Sequence, residues 1–495
     1  MSAIGDDGGD LRGSVASGVP NPQLWPDTAA VDAGGRLRVG DLDVAELAHR
    51  YGTPLYVYDE ATIRAQCRAL RSAFAAHWPD TTVAYAGKAY LSLALCRILL
   101  AEGLALDAVS LGELRLALAA GFPADRIHLH GNFKPRAELS VALELGVDRV
   151  VVDSLDELDQ VESLAREQGR CVAIWLRLCP DVATETHAAI QTGHAASKFG
   201  LDEASGAADE AARRAISSEW LDLAGLHAHA GSQLLDPAAP ARVTTFLCDF
   251  AARLRERTGA VVRELSPGGG LGVAYAPGDS SLEVERYART VADALCAGVE
   301  RHGRPPDAPT NWAPRLVVEP GRAIVARAGI ALYAAGPRKV VPGGPTYLAV
   351  DGGMGDNPRP ALYEARYTAA LPERMRPAGE EEQGEQGEQG EQGEQERVTV
   401  VGRYCESGDV LAREVVLPLV APGEIVAIPV SGAYHLAMAS NYNAVPRPAV
   451  VFVREGQARL VRRRETLDDL LRLEQGLDVE EELGKQGEES GGDHN

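Results

Sequence analysis

The sequence predicts an α/β protein: a (β/α)8 TIM barrel joined to a second, all-β domain of sandwich or barrel type built from both chain ends. Three observations lead to this. Eight short apolar, β-branched segments recur between residues 82 and 318. All but the last are followed by an amphipathic helical stretch, and eight such units are the count of a closed barrel. Beyond about residue 327 the alternation gives way to strand-like segments with little helix between them, and one strand-like stretch at 54–58 precedes the first unit. A doubly wound open sheet is the structural alternative, but no Gly-x-Gly-x-x-Gly turn follows the first strand.

In chain order, residues 1–35 are rich in Gly, Asp and Pro with little periodicity and are expected to form a flexible lead-in. Residues 36–63 supply the N-terminal part of the β-domain, with a helix over 44–51 stopped at Gly52 and the strand 54–58. Helical spacing returns over 60–74, where Ile63, Cys67, Leu70 and Phe74 share a face, and the barrel is assigned to 64–327. Its strands are predicted at 82–85, 106–109, 127–130, 149–152, 172–178, 221–229, 261–266 and 316–318. Ser110 with Glu113 and Ser154 with Glu157 read as capping boxes, while Gly103, Gly121 and Gly146 stop helices. The C-terminal β-domain spans 328–475, with strands at 330–333, 346–350, 398–401, 424–430 and 449–453. Inside it, 379–397 is mostly Glu-Gln-Gly triplets, and 476–495 is an acidic tail. Neither segment has enough apolar surface to offset the entropy of ordering, so both are expected to be disordered.

Bulk properties narrow the function. With 45% hydrophobic and 24% charged residues the chain is an ordinary globular protein. A net charge of −22 argues against nucleic acid as a partner. No apolar run approaches the ~20 residues that span a bilayer, and the N-terminus lacks the basic start and apolar run of a signal peptide, so a cytoplasmic protein with no membrane contact is expected. Seven scattered cysteines without a Cys-x-x-Cys pair suggest neither a disulfide framework nor a metal site.

The polar motifs share one address. Lys88, His130-Gly131-Asn132, Arg177, His229, Gly268-Gly269-Gly270 and Glu319 all lie at or just past the C-terminal ends of predicted strands. That face carries the active site in such barrels. A lone lysine after a strand is usually a surface charge, and three glycines are often only a tight turn. Together they suggest more: glycine backbone can approach and cradle a phosphate, Ser232 can add a hydroxyl, and a phosphate site beside a lysine suggests pyridoxal 5'-phosphate. Glu319 is placed to keep a pyridine nitrogen protonated, and His229 can stack on the ring.

These residues resemble the fold-type III pyridoxal phosphate-dependent decarboxylases, and within them the diaminopimelate-decarboxylating branch. The resemblance runs from about residue 51 to 471. It rests on Tyr85-Ala-Gly-Lys-Ala89, His130-Gly-Asn132, Gly225-Leu-His-Ala-His-Ala-Gly-Ser-Gln233, Gly268-Gly-Gly-Leu-Gly272, Glu319-Pro-Gly-Arg322, Asp351-Gly-Gly-Met354, Arg359-Pro-Ala-Leu-Tyr363, Cys405-Glu-Ser-Gly-Asp409 and Ser431-Gly-Ala-Tyr434. It implies that Lys88 forms the cofactor imine, His229 stacks on the ring and Glu319 pairs with the pyridine nitrogen. Ser232, Gly268, Gly269 and Gly270 would hold the phosphate, with Gly321, Arg322 and Tyr434 also on the cofactor. It further implies a homodimer with shared active sites, in which Cys405 and Glu406 of the partner subunit complete each site and Cys405 is the proton donor. The expected reaction is decarboxylation of meso-2,6-diaminopimelate at its D-centre to L-lysine and carbon dioxide.

The substrate explains the remaining motifs. Its distal carboxylate suits Arg322, Arg359 and Tyr363, because guanidinium binds carboxylate as a fork. Its distal ammonium suits Glu406, and Tyr434 is expected to touch both substrate and cofactor. Ornithine or lysine would leave two arginines unpaired, which is costly. Other readings are a decarboxylase of another amino acid or of a carboxylated polyamine, an alanine racemase, or a regulatory homologue without activity. A racemase would need a tyrosine where Cys405 stands, and an inactive homologue would typically lose Lys88 or Cys405. The departures from the family pattern, Ala228 between the two histidines and Gly87 before the lysine, touch no expected role.

Overall fold

The computed structural model describes residues 18–180, 197–305, 313–375 and 395–475. Eight parallel strands close on themselves: β1 (Thr81–Ala86), β2 (Ala105–Ala108), β3 (Ile127–Leu129), β4 (Arg149–Val152), β5 (Val172–Cys179), β6 (Leu221–His227), β7 (Glu264–Gly268) and β8 (Arg315–Val318). Each pairs with the next, and β8 returns to β1 through Leu316, Val317 and Val318 opposite Thr81, Thr82 and Val83. Alternate residues of each strand point inward. In the middle of the barrel these are mostly small, Ala84 and Ala105 with Val151 and Val317, joined by Ala224 at an irregularity of β6 between Leu223 and Gly225, which leaves room for one large ring, that of Trp175. Gly225 completes the fit, since a Cβ there would lie 2.6 Å from the indole and 2.7 Å from the Glu264 carbonyl oxygen.

Two helices begin at the caps the sequence places, Ser110 and Ser154, and Ser92 caps a third; Glu113 and Glu157 accept from the N–H groups of Val109 and Asp153, one residue before the caps, so the expected capping boxes are only half formed. The hydroxyls of Ser92, Ser110 and Ser154 accept hydrogen bonds from the third helical N–H of Leu93–Ala101, Leu111–Ala119 and Leu155–Glu167. The eighth strand is followed only by the four-residue helix Arg322–Val325. Its place in the outer ring is taken by Glu60–His77, which enters ahead of β1 and packs on Val284–His302. That helix is continuous across the boundary expected at residue 63, because Asp59 caps it by accepting from the N–H groups of Ala61 and Thr62.

The second domain is a mostly β unit whose spine is the 12-residue strand Gly329–Val340. This strand pairs with Leu55–Asp59, Thr346–Val350 and Ile425–Ile428. Leu55–Asp59 also lies parallel to Ala449–Arg454, so a strand from the start of the chain is an interior strand among those from its end. All five of its residues are buried. Gln395–Val401 and Val410–Pro418 extend one side of the sheet, and Gln457–Arg462 the other. Among the described residues, no helix is long and apolar enough to cross a membrane.

The structure also differs from the sequence expectation elsewhere: Val410–Pro418 and Gln457–Arg462 are strands the sequence did not suggest, and β6 ends at His227 rather than at 229. Residues 18–35 are packed rather than loose: Val19, Leu24 and Trp25 are buried, Ala30–Val31 pairs with Leu37–Val39, and Asp27 holds Arg327 at 2.6 Å. Residues 395–397, counted with the Glu-Gln-Gly insertion, begin a strand, because Gln395, Glu396 and Arg397 pair with Pro418, Leu417 and Val416. Strand β7 runs to Gly268 rather than ending at 266. The rest of the insertion, 379–394, the tail 476–495 and residues 1–17 lie outside the described residues.

Replacing Gly225 with alanine is expected to cost about 1–3 kcal/mol of stability by overpacking the barrel interior against Trp175. A urea or guanidinium midpoint unchanged from the parent would contradict that packing.

Candidate active site

Lys88 stands in a single 3-10 turn, Gly87–Ala89, that leaves the end of β1. Its neighbours Gly87 and Ala89 are buried while its own side chain is exposed to a cavity of about 340 Å³ at the barrel mouth. Asp107, His130, Arg177, His229 and Glu319 line the same cavity. They meet there because each lies at an inward position at the end of its strand. Trp175 and Arg177 share a face of β5, and Gly225, His227 and His229 follow the same two-residue period along and past β6. The second domain reaches this rim directly, for the Tyr434 N–H donates to the Ala89 carbonyl oxygen at 2.7 Å.

Glu319 is the electrostatic centre. Burial opposes its ionisation, but His227 and His130 offset this, together with the Ser266 hydroxyl, and hold its carboxyl well below the usual carboxylate range. Ser266 Oγ donates to Oε1 at 2.6 Å, and His227 Nε2 lies 3.2 Å from Oε2. His130 Nε2 stands 3.9 Å from Glu319 and 3.5 Å from Asp107, which in turn meets His128 Nδ1 at 2.9 Å. His229 is driven well below its ordinary value by burial, then by the charges of Lys88 and Arg177. It is a neutral, flat imidazole beside Lys88.

The glycine run has no room for side chains. A Cβ on Gly268 would lie 2.4 Å from His229 Nδ1, one on Gly269 2.0 Å from the Glu319 carbonyl oxygen, and one on Gly270 2.4 Å from that of Gly231. Gly268 and Gly270 also have φ of +76° and +103°, conformations that suit glycine. Gly321 is tight too, with Ala86 O 3.0 Å from where its Cβ would be. Ser232 Oγ accepts from Arg322 Nη2 at 2.8 Å, and Arg322 Nε is buried without a hydrogen-bond partner among the described residues. A bare backbone floor, a hydroxyl and an unsatisfied guanidinium N–H suit a phosphate. An exposed amine and an ionised, buried carboxylate across the cavity suit the aldehyde and ring nitrogen of pyridoxal phosphate.

The expected substrate residues fall in two places. Arg322 and Arg359 converge on Tyr275, with guanidinium carbons 5.7 and 4.3 Å from its ring centre, and Arg322 also lies 4.7 Å from that of Tyr434. Arg322 donates to the Tyr275 hydroxyl and Arg359 to that of Tyr367. Tyr363 is at the end of the short helix Arg359–Tyr363, with its hydroxyl 4.0 Å from Met438 Sδ. Cys405 and Glu406 are not brought to this chain's own cavity. Both are exposed between Gln395–Val401 and Val410–Pro418, where Tyr442 donates to Glu406.

Several residues at the site had no role in the sequence reading: Asp107, His227, Ser266, Tyr275, Tyr367 and His435. His227 and Ser266 were detectable through strand alternation, since they share parity with His229 and Gly268 on or just past their own strands, whereas the strand of Asp107 carries no such motif. The tyrosines and His435 come from separate segments and carry no spacing signal.

His128 is buried beneath the site between Asp107 and Asp148, whose carboxylates lie 2.9 and 3.4 Å from its two nitrogens. Burial alone would neutralise it, but the two hydrogen-bonded acids push it up to about 9. A histidine raised on folding adds stability that is complete below about pH 6.5 and is lost as pH rises through the folded value. Stability should therefore decline between about pH 6.5 and 9, by on the order of 3 kcal/mol from this group. His128→Asn should flatten that slope; denaturation midpoints with the same slope in both proteins would refute it.

Comparison with known proteins agrees with this geometry. Residues 60–326 match the family described as pyridoxal-dependent decarboxylase, pyridoxal binding domain. The chain is 41% identical over 440 residues to the diaminopimelate decarboxylase of Bacillus subtilis, covering 89% of this chain and 95% of that protein. It is 43% identical over 461 residues to that of Actinosynnema pretiosum, covering 91% and 95%. The crystal structure of the M. jannaschii diaminopimelate decarboxylase in complex with L-lysine superposes with a TM-score of 0.81 at 33% identity, covering 92% of this chain and 99% of that one. With matching fold, matching length and a barrel mouth suited to the cofactor, the chain belongs to the pyridoxal-dependent decarboxylases, in their diaminopimelate decarboxylase branch.

Proposed function

We propose that this chain uses pyridoxal phosphate to decarboxylate meso-2,6-diaminopimelate at its D-centre, giving L-lysine and carbon dioxide as the last step of lysine biosynthesis, in the cytoplasm. The observation that supports this most directly is Lys88 facing an ionised, buried Glu319 across one cavity. Bound pyridoxal phosphate supplies an aldehyde that condenses with amines and a ring that accepts the electron pair left when carbon dioxide departs. The chain's residues do the rest. Lys88 holds the cofactor between turnovers and releases the product. Glu319 keeps the proton on the ring nitrogen, and the neutral His229 lies against the ring face. Gly268, Gly269, Gly270, Gly321 and Ser232 receive the phosphate, with Arg322 and Tyr434 beside it.

At the other end of the substrate, Arg322, Arg359 and Tyr363 bind the distal carboxylate, and Tyr434 lines the path between. Cys405 returns a proton to the carbon that lost carbon dioxide, and Glu406 binds the distal ammonium. Cys405 and Glu406 lie exposed, away from this chain's own Lys88, which supports a homodimer in which each subunit completes the other's site.

Purified protein should release carbon dioxide from meso-diaminopimelate in proportion to added pyridoxal phosphate, and should act far more slowly on ornithine or lysine. Preference for either of those substrates would overturn the assignment. Lys88→Ala should lose both the cofactor absorbance band and activity, and Cys405→Ala should keep the band. If sites are shared, mixing equal amounts of these two inactive variants should restore up to about a quarter of parental activity, because half of randomly paired dimers carry one intact site. No restoration after verified subunit exchange would place all catalytic groups on one chain.

A further inference from the structure

Arg359 is buried, and its guanidinium can only donate hydrogen bonds. One of its N–H groups goes to the Tyr367 hydroxyl. With that lone pair occupied, the Tyr367 O–H is free to donate, and its neighbour is His435 Nε2 at 2.7 Å. Nε2 must then accept, which leaves the ring proton on Nδ1. Nδ1 in turn faces the Tyr56 hydroxyl at 3.3 Å, and Tyr56 donates to Asp356 Oδ2 at 2.9 Å. The donors therefore all run one way, Arg359 to Tyr367 to His435 to Tyr56 to Asp356. Tyr367, His435, Tyr56 and Asp356 are all buried. Burial, with the charges of Arg359 and Arg322 adding to it, holds His435 well below its ordinary value, so its ring is neutral and able to accept.

The chain of bonds is anchored in the second domain. Tyr56 belongs to the strand Leu55–Asp59, and Asp356 is fixed by the Gly353 N–H at 2.9 Å and by the Tyr333 hydroxyl. Ring edges reinforce the alignment, with Tyr367 and His435 at 5.2 Å and 79°, and Tyr56 and His435 at 5.9 Å and 80°. On its other side Arg359 lies over the Tyr275 ring. Its guanidinium plane is thus set before any carboxylate arrives, and a carboxylate taken as a fork needs that plane held.

The geometry points to Tyr367 and His435 as positioning residues that orient Arg359 for the distal carboxylate, and so to a specificity determinant seated in the second domain rather than in the barrel. This deepens the functional reading above and rests on it: Arg359 must be the group that receives the distal carboxylate. Neither residue is required to touch the substrate's reacting end or the cofactor.

The test compares two ligands of the cofactor-loaded enzyme. L-lysine carries the distal carboxylate and cadaverine does not, so the ratio of their dissociation constants reports the carboxylate site alone and is insensitive to the fraction of protein folded. In Tyr367→Phe the ratio should move about 10-fold against L-lysine, as for loss of a hydrogen bond to a charged group. KM for meso-diaminopimelate should rise with it, while the cofactor absorbance and cadaverine binding stay at parental values. His435→Asn, which removes the acceptor at Nε2, should reproduce the shift and serves if Tyr367→Phe does not fold. His435→Gln, whose amide oxygen can accept from Tyr367, should retain more of the parental ratio than His435→Asn. An unchanged ratio in both Tyr367→Phe and His435→Asn, or equal weakening of both ligands, overturns the positioning role. A parental enzyme that shows no preference for L-lysine over cadaverine overturns instead the substrate reading beneath it.

Discussion

A buried carboxylate is stable only where other groups replace the water it lost, and the barrel mouth is arranged around that requirement at Glu319. Ser266 and His227 bond it directly, and His130 stands between it and Asp107. Asp107 is balanced in turn by His128, and His128 by Asp148. One negative charge at the rim thus requires an alternation of acids and histidines that continues into the barrel interior. All but Asp148, which precedes β4, can take part because they occupy inward positions in or just past their strands. The same alternation keeps the middle layer small and leaves one large space, which Trp175 fills.

The second domain meets that mouth through backbone as well as through side chains such as Arg359 over Tyr275 and Tyr434 under Arg322. The Tyr434 N–H bonds Ala89 O, the Gly432 N–H bonds Ala326 O at 3.0 Å, and the Tyr58 hydroxyl bonds Gly432 O at 2.8 Å. Gly432 approaches so closely that a Cβ would lie 1.8 Å from Val325 O. The turn carrying Lys88 is therefore clamped between β1 and a loop more than three hundred residues later in the chain. Such contact makes the position of the lysine depend on both domains being folded, and it brings the Arg359 cluster beside the Ser232–Arg322 pair.

The strand ends were legible in the sequence because the barrel units are local: an apolar run with a polar residue at or just past its end, followed by a helix that in several units opens on a serine cap or closes on glycine. Lys88, His229, Gly268 and Glu319 could be given a common face from strand order alone. Residues 18–35 were misread because their composition suggests a loop, whereas a few anchors, Leu24 and Trp25 above all, supply enough buried surface to fix them. The limits of the acidic insertion were misread for a related reason. Gln395 and Glu396 look like more of the repeat, and only their pairing with Val410–Pro418 makes them strand.

Periodicity and local motifs by themselves determined the barrel and the address of its active face, and the resemblance of the ordered motifs to a known family supplied the expected chemistry. They act over a few residues, so they could say which residues face one rim. They could not say which residues from distant segments touch. Tertiary structure decided that Leu55–Asp59, already expected in the second domain, lies between Gly329–Val340 and Ala449–Arg454 in its sheet, and that Glu60–His77 replaces the eighth helix. It also decided that Arg359 is oriented through Tyr367 and His435, residues with no shared spacing. The physical reason is the range of the interactions: helix and strand preferences are set by near neighbours, whereas a buried guanidinium or carboxylate must find its partners wherever the closed fold brings donors and acceptors within about 3 Å.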